Sequence, residues 1–165
     1  MSLWMFAAVA SAAQLEVGYH GHLLTHPGAA AAARWPLVEA PRLGLAATAG
    51  GGLWWHPQYE VVTFARGGLS GTLSGKGPAY GELTLRAGLA RSTWAVPTYA
   101  VEGDAVERRR LAGDLALMGS VGLGGGRTTD FGAWFIRPEL SVRAPHAIGV
   151  GLDLAVVAGL RFGGA

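Results

Sequence analysis

Residues 148–162 constrain the fold more than any other part of the chain. The even positions read Ile148, Val150, Leu152, Leu154, Val156, Ala158, Leu160 and Phe162. The odd positions read Gly149, Gly151, Asp153, Ala155, Val157, Gly159 and Arg161. A period of two sustained this far is a strand, because successive side chains of a strand point to opposite faces. Strands in soluble domains usually stop after about five or six residues, whereas a strand tilted across a bilayer needs about 9–11.

The pattern recurs along the chain. Trp134, Ile136, Pro138, Leu140 and Val142 alternate with Ala133, Phe135, Arg137, Glu139, Ser141 and Arg143. Leucines and glycines at odd positions of 111–123 face Asp114, Ala116, Met118 and Ser120. Leu83, Leu85 and Leu89 alternate with Glu82, Thr84 and Arg86, and Leu15, Val17, Tyr19 and Leu23 with Glu16, His20 and His22. Segments 43–53, 58–66 and 97–106 complete a set of eight strands.

The character of the second face sets the environment. A soluble sheet turns its apolar face inward and covers the other with polar residues. Here the second face is glycine, alanine and isolated charges, which suits the inside of a narrow closed barrel, while the leucine-rich face suits lipid. Closure also pairs every backbone group, as hydrocarbon demands. The expected fold is therefore all-β, an eight-stranded antiparallel up-and-down transmembrane barrel.

Composition agrees. Charged residues make up 15 % of the chain and glycines number 27, which fits neither a helical bundle nor a coiled coil. No cysteine is present, which excludes disulfide scaffolds and thiolate metal sites. A net charge of +2 without a long basic run argues against a nucleic-acid partner. The run Leu3–Ala10, followed by Ser11-Ala12-Ala13, has the form of a secretory signal. The expected organisation is a signal peptide over 1–13 and a single barrel domain over 14–165.

Turns are expected near 55–58, 94–97 and 124–130 on the periplasmic side, with longer connections at 25–40, 67–79 and 102–110 outside and a tight one at 144–146. Trp54, Trp55, Tyr59, Trp94, Tyr99, Trp134 and Phe162, with Phe131 and Phe135, then gather on one rim as an interfacial girdle.

These features resemble the small eight-stranded outer-membrane barrels of the OmpA/OmpX type, over residues 14–162. The resemblance implies a bacterial outer-membrane location, outer-membrane lipid and lipopolysaccharide as surroundings, and a last strand, Gly159-Leu160-Arg161-Phe162, read by the barrel assembly machinery. It carries over no activity.

Inward charges are the first candidate functional group. Glu16, Glu82, Arg86, Asp114, Arg137, Glu139, Arg143, Asp153 and Arg161 fall on the lumen face, nearly balanced in sign. Ions in a narrow lumen must pair, so a salt-bridge network plugging the barrel is expected, with a narrow pore as the alternative. A turn at 144–146 places Arg137 opposite Asp153. His20 and His22, at i and i+2 on one strand face, have a spacing that can share a metal. The pattern is short and lacks an assured carboxylate, so the reading is solvated histidines at a barrel mouth, with no metal and no cofactor. Ser70, Ser74, Ser92, Ser120 and Ser141 sit in no nucleophile motif with a histidine such as His146, and no catalytic residue is assigned. Arg108-Arg109-Arg110 could contact lipopolysaccharide phosphates. The expected function is a non-enzymatic barrel that supports the envelope or presents loops to a protein partner. The alternatives are a soluble lipocalin-like binder and a lipid-modifying enzyme.

Overall fold

The computed structural model describes residues 13–23, 25–102, 105–109, 113–146 and 149–163, with backbone alone for 100–102, 105, 108, 109 and 146. The segment read as a signal peptide lies almost wholly outside these residues, as do Ile148 and Arg110.

Eight strands close into a ring: β1 (Gln14–His22), β2 (Gly28–Glu39), β3 (Leu43–His56), β4 (Glu60–Ser74), β5 (Ala79–Trp94), β8 (Leu115–Thr129), β9 (Gly132–His146) and β10 (Gly149–Phe162). Each pairs antiparallel with its neighbours, and β1 meets β10 with Leu15 opposite Phe162 and His22 opposite Ala155. The remaining two, β6 (Thr98–Glu102) and β7 (Ala105–Arg109), pair with each other as a hairpin between β5 and β8. Both ends of the described chain, with turns 40–42, 75–78 and 130–131, lie at one mouth. The β3–β4 turn at 57–59, the ends of β1 and β5 and the starts of β2 and β8 lie at the other, with the end of β9 and the start of β10.

Long alternating strands form because each has one face that wants an apolar exterior and one small enough to share a crowded interior. Leu83, Leu85 and Leu89 of β5 point outward and are about half exposed, as are Leu140 of β9 and Leu154 of β10. Glu82, Thr84 and Arg86 of β5, with Arg137, Glu139, Ser141 and Arg143 of β9, point inward and are buried. A lipocalin-like arrangement would have the reverse polarity.

Three expectations about the elements are corrected. Residues 28–39, expected within a long loop, form β2. Its run Gly28-Ala29-Ala30-Ala31-Ala32-Ala33 has no polarity contrast to reveal a period of two, yet it pairs along β1 and β3. Residues 97–106, expected as a barrel strand, lie in the hairpin excursion instead. Residues 67–74, expected as a loop, extend β4, with Gly68 opposite Arg86 and Ser74 opposite Tyr80. The count of eight is right, with one member exchanged.

Shifting the strands moves the turns. The β3–β4 turn is 57–59, where Tyr59 N donates to His56 O (3.2 Å) and Gln58 takes φ +71°. Proline before a positive-φ residue is the type II arrangement. The β8–β9 turn is at 130–131, at the opposite mouth. The aromatic positions therefore do not share one rim. Trp55, Tyr59 and Trp94 sit at the mouth away from the termini, Phe131, Trp134 and Phe162 at the mouth with them, and Tyr99 on the hairpin. Trp54 and Phe135 belong to no girdle, because they point inward and are buried.

Candidate functional site: the barrel lumen

The lumen is lined by even-numbered residues of β1, β2, β3, β4, β5 and β8 and odd-numbered residues of β9 and β10. Among the described residues six of its buried side chains are arginines, namely 34, 66, 86, 137, 143 and 161, against four carboxylates, Glu16, Glu82, Glu139 and Asp153. Glycine creates the room they occupy. Gly122 lies opposite Glu139, and a Cβ there would stand 2.7 Å from Thr84 Oγ1 and 2.8 Å from Arg137 Cδ.

Three carboxylates anchor one connected network. Glu82 accepts from Arg161 Nη2 (2.9 and 3.0 Å), Arg137 Nη1 (3.4 Å) and Ser70 Oγ (2.5 Å). Glu16 accepts from Arg161 Nε (2.9 Å) and Nη2 (2.5 Å), with Arg86 Nη2 at 3.6 Å and Arg137 Nη2 at 3.8 Å. Glu139 is bonded by Arg66 and flanked by Arg86 Nη1 at 3.6 Å and Arg137 Nε at 3.8 Å. Arg66 also donates to Ser120 Oγ (3.1 Å), and Arg34 donates to Gln14 Oε1 (2.8 Å). Shared partners matter here, because a buried ion left alone is far costlier than one held by several opposite charges. Between Glu16, Arg66, Arg86 and Arg137 the free volume is about 20 Å³, which is room for a single water molecule or so.

Next to this network, toward the mouth away from the termini, Trp54, Val62, Phe64, Ala90 and Met118 form an apolar plug. The Arg66 guanidinium lies over the Phe64 ring at 4.7 Å, and Arg143 lies over Trp54 at 5.4 Å. His20 is enclosed by the same plug, stacked on Trp54 at 5.4 Å and tilted against Phe64 at 5.2 Å. Beyond it, Asp153 is gripped by Arg143 Nε (2.6 Å) and Nη2 (3.3 Å), and His22 Nε2 stands 3.0 Å from its Oδ1.

The sequence-based residues fall into place as follows. Glu16, Glu82, Arg86, Arg137, Glu139, Arg143, Asp153 and Arg161 are all inward and buried. Asp114 is not; it precedes β8 at the mouth and is exposed. Arg137 does not face Asp153. Its opposite number is Val157, while Asp153 lies opposite Ser141 and is held by Arg143. The expected turn at 144–146 was too early: β9 runs on to His146, and an irregularity between Gly149 and Gly151 shifts the register further. Arg34 and Arg66 were missed. Arg66 is the last residue of the expected strand 58–66 and shares the parity of Phe64, so the face on which it falls was legible there. Arg34 was hidden in the alanine run. His20 and His22 do not work as a pair, since His20 is sealed in the plug and His22 turns to Asp153. Ser70 donates to Glu82, Ser92 accepts from Arg143 and Ser120 from Arg66.

These features define a class: a narrow closed barrel of eight antiparallel strands, apolar outside and charged within, with the fold of the small outer-membrane barrels. The chain is similar to Neisserial surface protein A, with a TM-score of 0.56 at 12 % identity, covering 92 % of this chain and 96 % of that one. It is also similar to the N-terminal β-barrel domain of Pseudomonas aeruginosa OprF (TM-score 0.46, 14 % identity, 90 % and 97 % covered). A third is Ail, the attachment invasion locus protein of Yersinia pestis (TM-score 0.44, 13 % identity, 91 % and 97 % covered). No family model matches the chain, and no curated protein does.

Proposed function

We propose that this chain is an integral barrel of the bacterial outer membrane, non-enzymatic, with a lumen closed by its own side chains. The observation that carries the reading is the inversion of polarity, with leucines on the outer surface of every long strand and ten charged side chains buried inside. Only a solvent more apolar than the protein interior favours that arrangement. The volume of about 20 Å³ within the central network and the apolar plug beside it support a barrel that does not conduct. Its surroundings are outer-membrane lipid and lipopolysaccharide, and it reaches the membrane through the barrel assembly machinery. The β6–β7 hairpin is the element available to a protein partner outside the membrane, and the sequence run Arg108-Arg109-Arg110 supplies positive charge for lipopolysaccharide phosphates.

The test has two parts. Cells expressing the full chain are fractionated, and outer membranes are run on denaturing gels with and without boiling. The purified barrel is then reconstituted into planar bilayers. A band that shifts on boiling, together with a silent bilayer, is the expected result. A soluble protein overturns the membrane placement, and discrete conductance steps overturn the closed lumen.

A further inference from the structure

The mouth that carries both ends of the described chain opens into a cavity of about 330 Å³, against about 20 Å³ within the central network. The larger volume falls in the range of small-molecule sites, roughly 300–1,000 Å³. Its wall is polar. Thr72 and Ser74 of β4, Tyr80 of β5 and Thr128 of β8 bring hydroxyls, and Arg34 of β2 and Arg161 of β10 bring guanidinium groups. Asp130, exposed at the β8–β9 turn, is the acid at the rim.

Arg34 is the group this cavity leaves unmatched. It is 6 % exposed, its Nη1 donates to the uncharged Gln14 amide (2.8 Å), and its Nε has no hydrogen-bond partner. Among the described residues it joins no ion pair, although the other five lumen arginines each do. The buried arginines outnumber the buried carboxylates by six to four. A buried guanidinium without an opposite charge is costly, so an anion in the cavity offsets the surplus. Arg161 lies across β1 from Arg34, because β1 sets Glu16 opposite Arg161 and Gln14 opposite Arg34. Its Nε and Nη2 are committed to Glu16 and Glu82, and its Nη1 reaches only Tyr80 Oη, at 3.4 Å.

We propose that this mouth binds the phosphate group of a soluble molecule, with Arg34 as its main charge partner and Arg161, Tyr80, Thr72 and Ser74 as further donors. Guanidinium groups make charge-assisted, often bidentate, hydrogen bonds to phosphate. A phosphate also offers more oxygens to this many donors than a carboxylate does. The cavity lies inside the ring of strands, so the barrel wall separates it from the acyl chains, and a molecule in solution reaches it more directly than a lipid headgroup. The site rests on the barrel fold and stands whether or not the lumen conducts.

The experiment is an NMR titration of the full chain folded in maltoside micelles, which carry no phosphate, with the gel shift on boiling confirming the fold of every sample. Inorganic phosphate is expected to move the Arg34 Nε–Hε signal and the Thr72 and Tyr80 amides saturably, while chloride at equal ionic strength does not. Arg34→Gln is expected to fold, since it breaks no ion pair, and to weaken binding by roughly tenfold or more. Tyr80→Phe, which keeps the ring, should weaken it by a smaller factor. Glycerol 3-phosphate in solution and phosphatidic acid in the micelle separate the two sources of the group, and the soluble ester is expected to bind. Absence of a saturable response to inorganic phosphate overturns the proposal, as does unchanged affinity in either variant or a response confined to phosphatidic acid. Loss of the folded band in Arg34→Gln overturns it too, by showing that Arg34 is matched within the barrel.

Discussion

Residue by residue, the lumen rests on a few carboxylates that each hold more than one cation. Asp153 is the clearest case, because Arg143 grips it with two nitrogens and His22 approaches from the other side. Asp153→Asn removes the charge but keeps the shape, leaving Arg143 buried without its partner. Breaking a buried pair in this way costs roughly 3–5 kcal/mol, which urea titration of the barrel in micelles would register as a lowered midpoint. His26 predicts a pH response at the mouth. Partial desolvation, then the neighbouring His56 and His22, hold its imidazole below the ordinary value of 6.5, against a smaller opposing pull from Glu60. A base whose folded pKa is depressed stabilises the fold while neutral, and that contribution is lost as pH falls through the unfolded value. Acidification from pH 7.5 to 5 is therefore expected to lower the protection factor of the His26 amide, which donates to His22 O, measured against the intrinsic exchange rate at each pH, while the protection factors of central β5 amides stay unchanged.

Among elements, barrel strands and the excursion differ in what they are tied to. β6 and β7 pair with each other and take no part in the closed ladder. Replacing residues 97–112 with a short glycine-serine turn is expected to leave the boiling-dependent gel shift intact, since among the described residues of this segment none pairs with a ring strand. The central strands should be unforgiving where side chains cross the lumen. Gly122→Val forces a branched side chain against Thr84 and Arg137 and should abolish the folded band. Gly119→Ala, three residues away on the outer face with nothing within 4 Å of an added Cβ, should leave it unchanged.

At the scale of the whole molecule, the outer surface decides where the barrel can live. Leu85 sits near the middle of β5, 56 % exposed, and Leu73 near the end of β4. An arginine at the bilayer midplane of a barrel costs about 2–4 kcal/mol, falling to about 0–1 kcal/mol near the interface. Leu85→Arg is expected to lower folding stability in lipid vesicles by that larger amount and Leu73→Arg by the smaller. Equal effects at the two positions would count against the proposed membrane depth.

What the chain alone determined is the alternation. A period of two with leucines on one face and glycine, alanine and charge on the other specifies long strands and their polarity, because side-chain direction in a strand is a local property of the backbone. From that, the inward placement of Glu16, Glu82, Arg86, Glu139 and Arg161 was legible. Register and closure were not. They depend on which strand lies alongside and where each turn falls, and a turn displaced by a few residues moved Asp153 from Arg137 to Arg143. The alanine run of β2 carries no contrast by which to read it, so only pairing with β1 and β3 makes it a strand. Trp54 looks like its neighbour Trp55 in sequence, yet strand parity sends one to the lumen and the other outside. The meeting of His22, His26 and His56 is tertiary as well, because it needs the β1–β2 turn and the end of β3 to arrive at the same mouth.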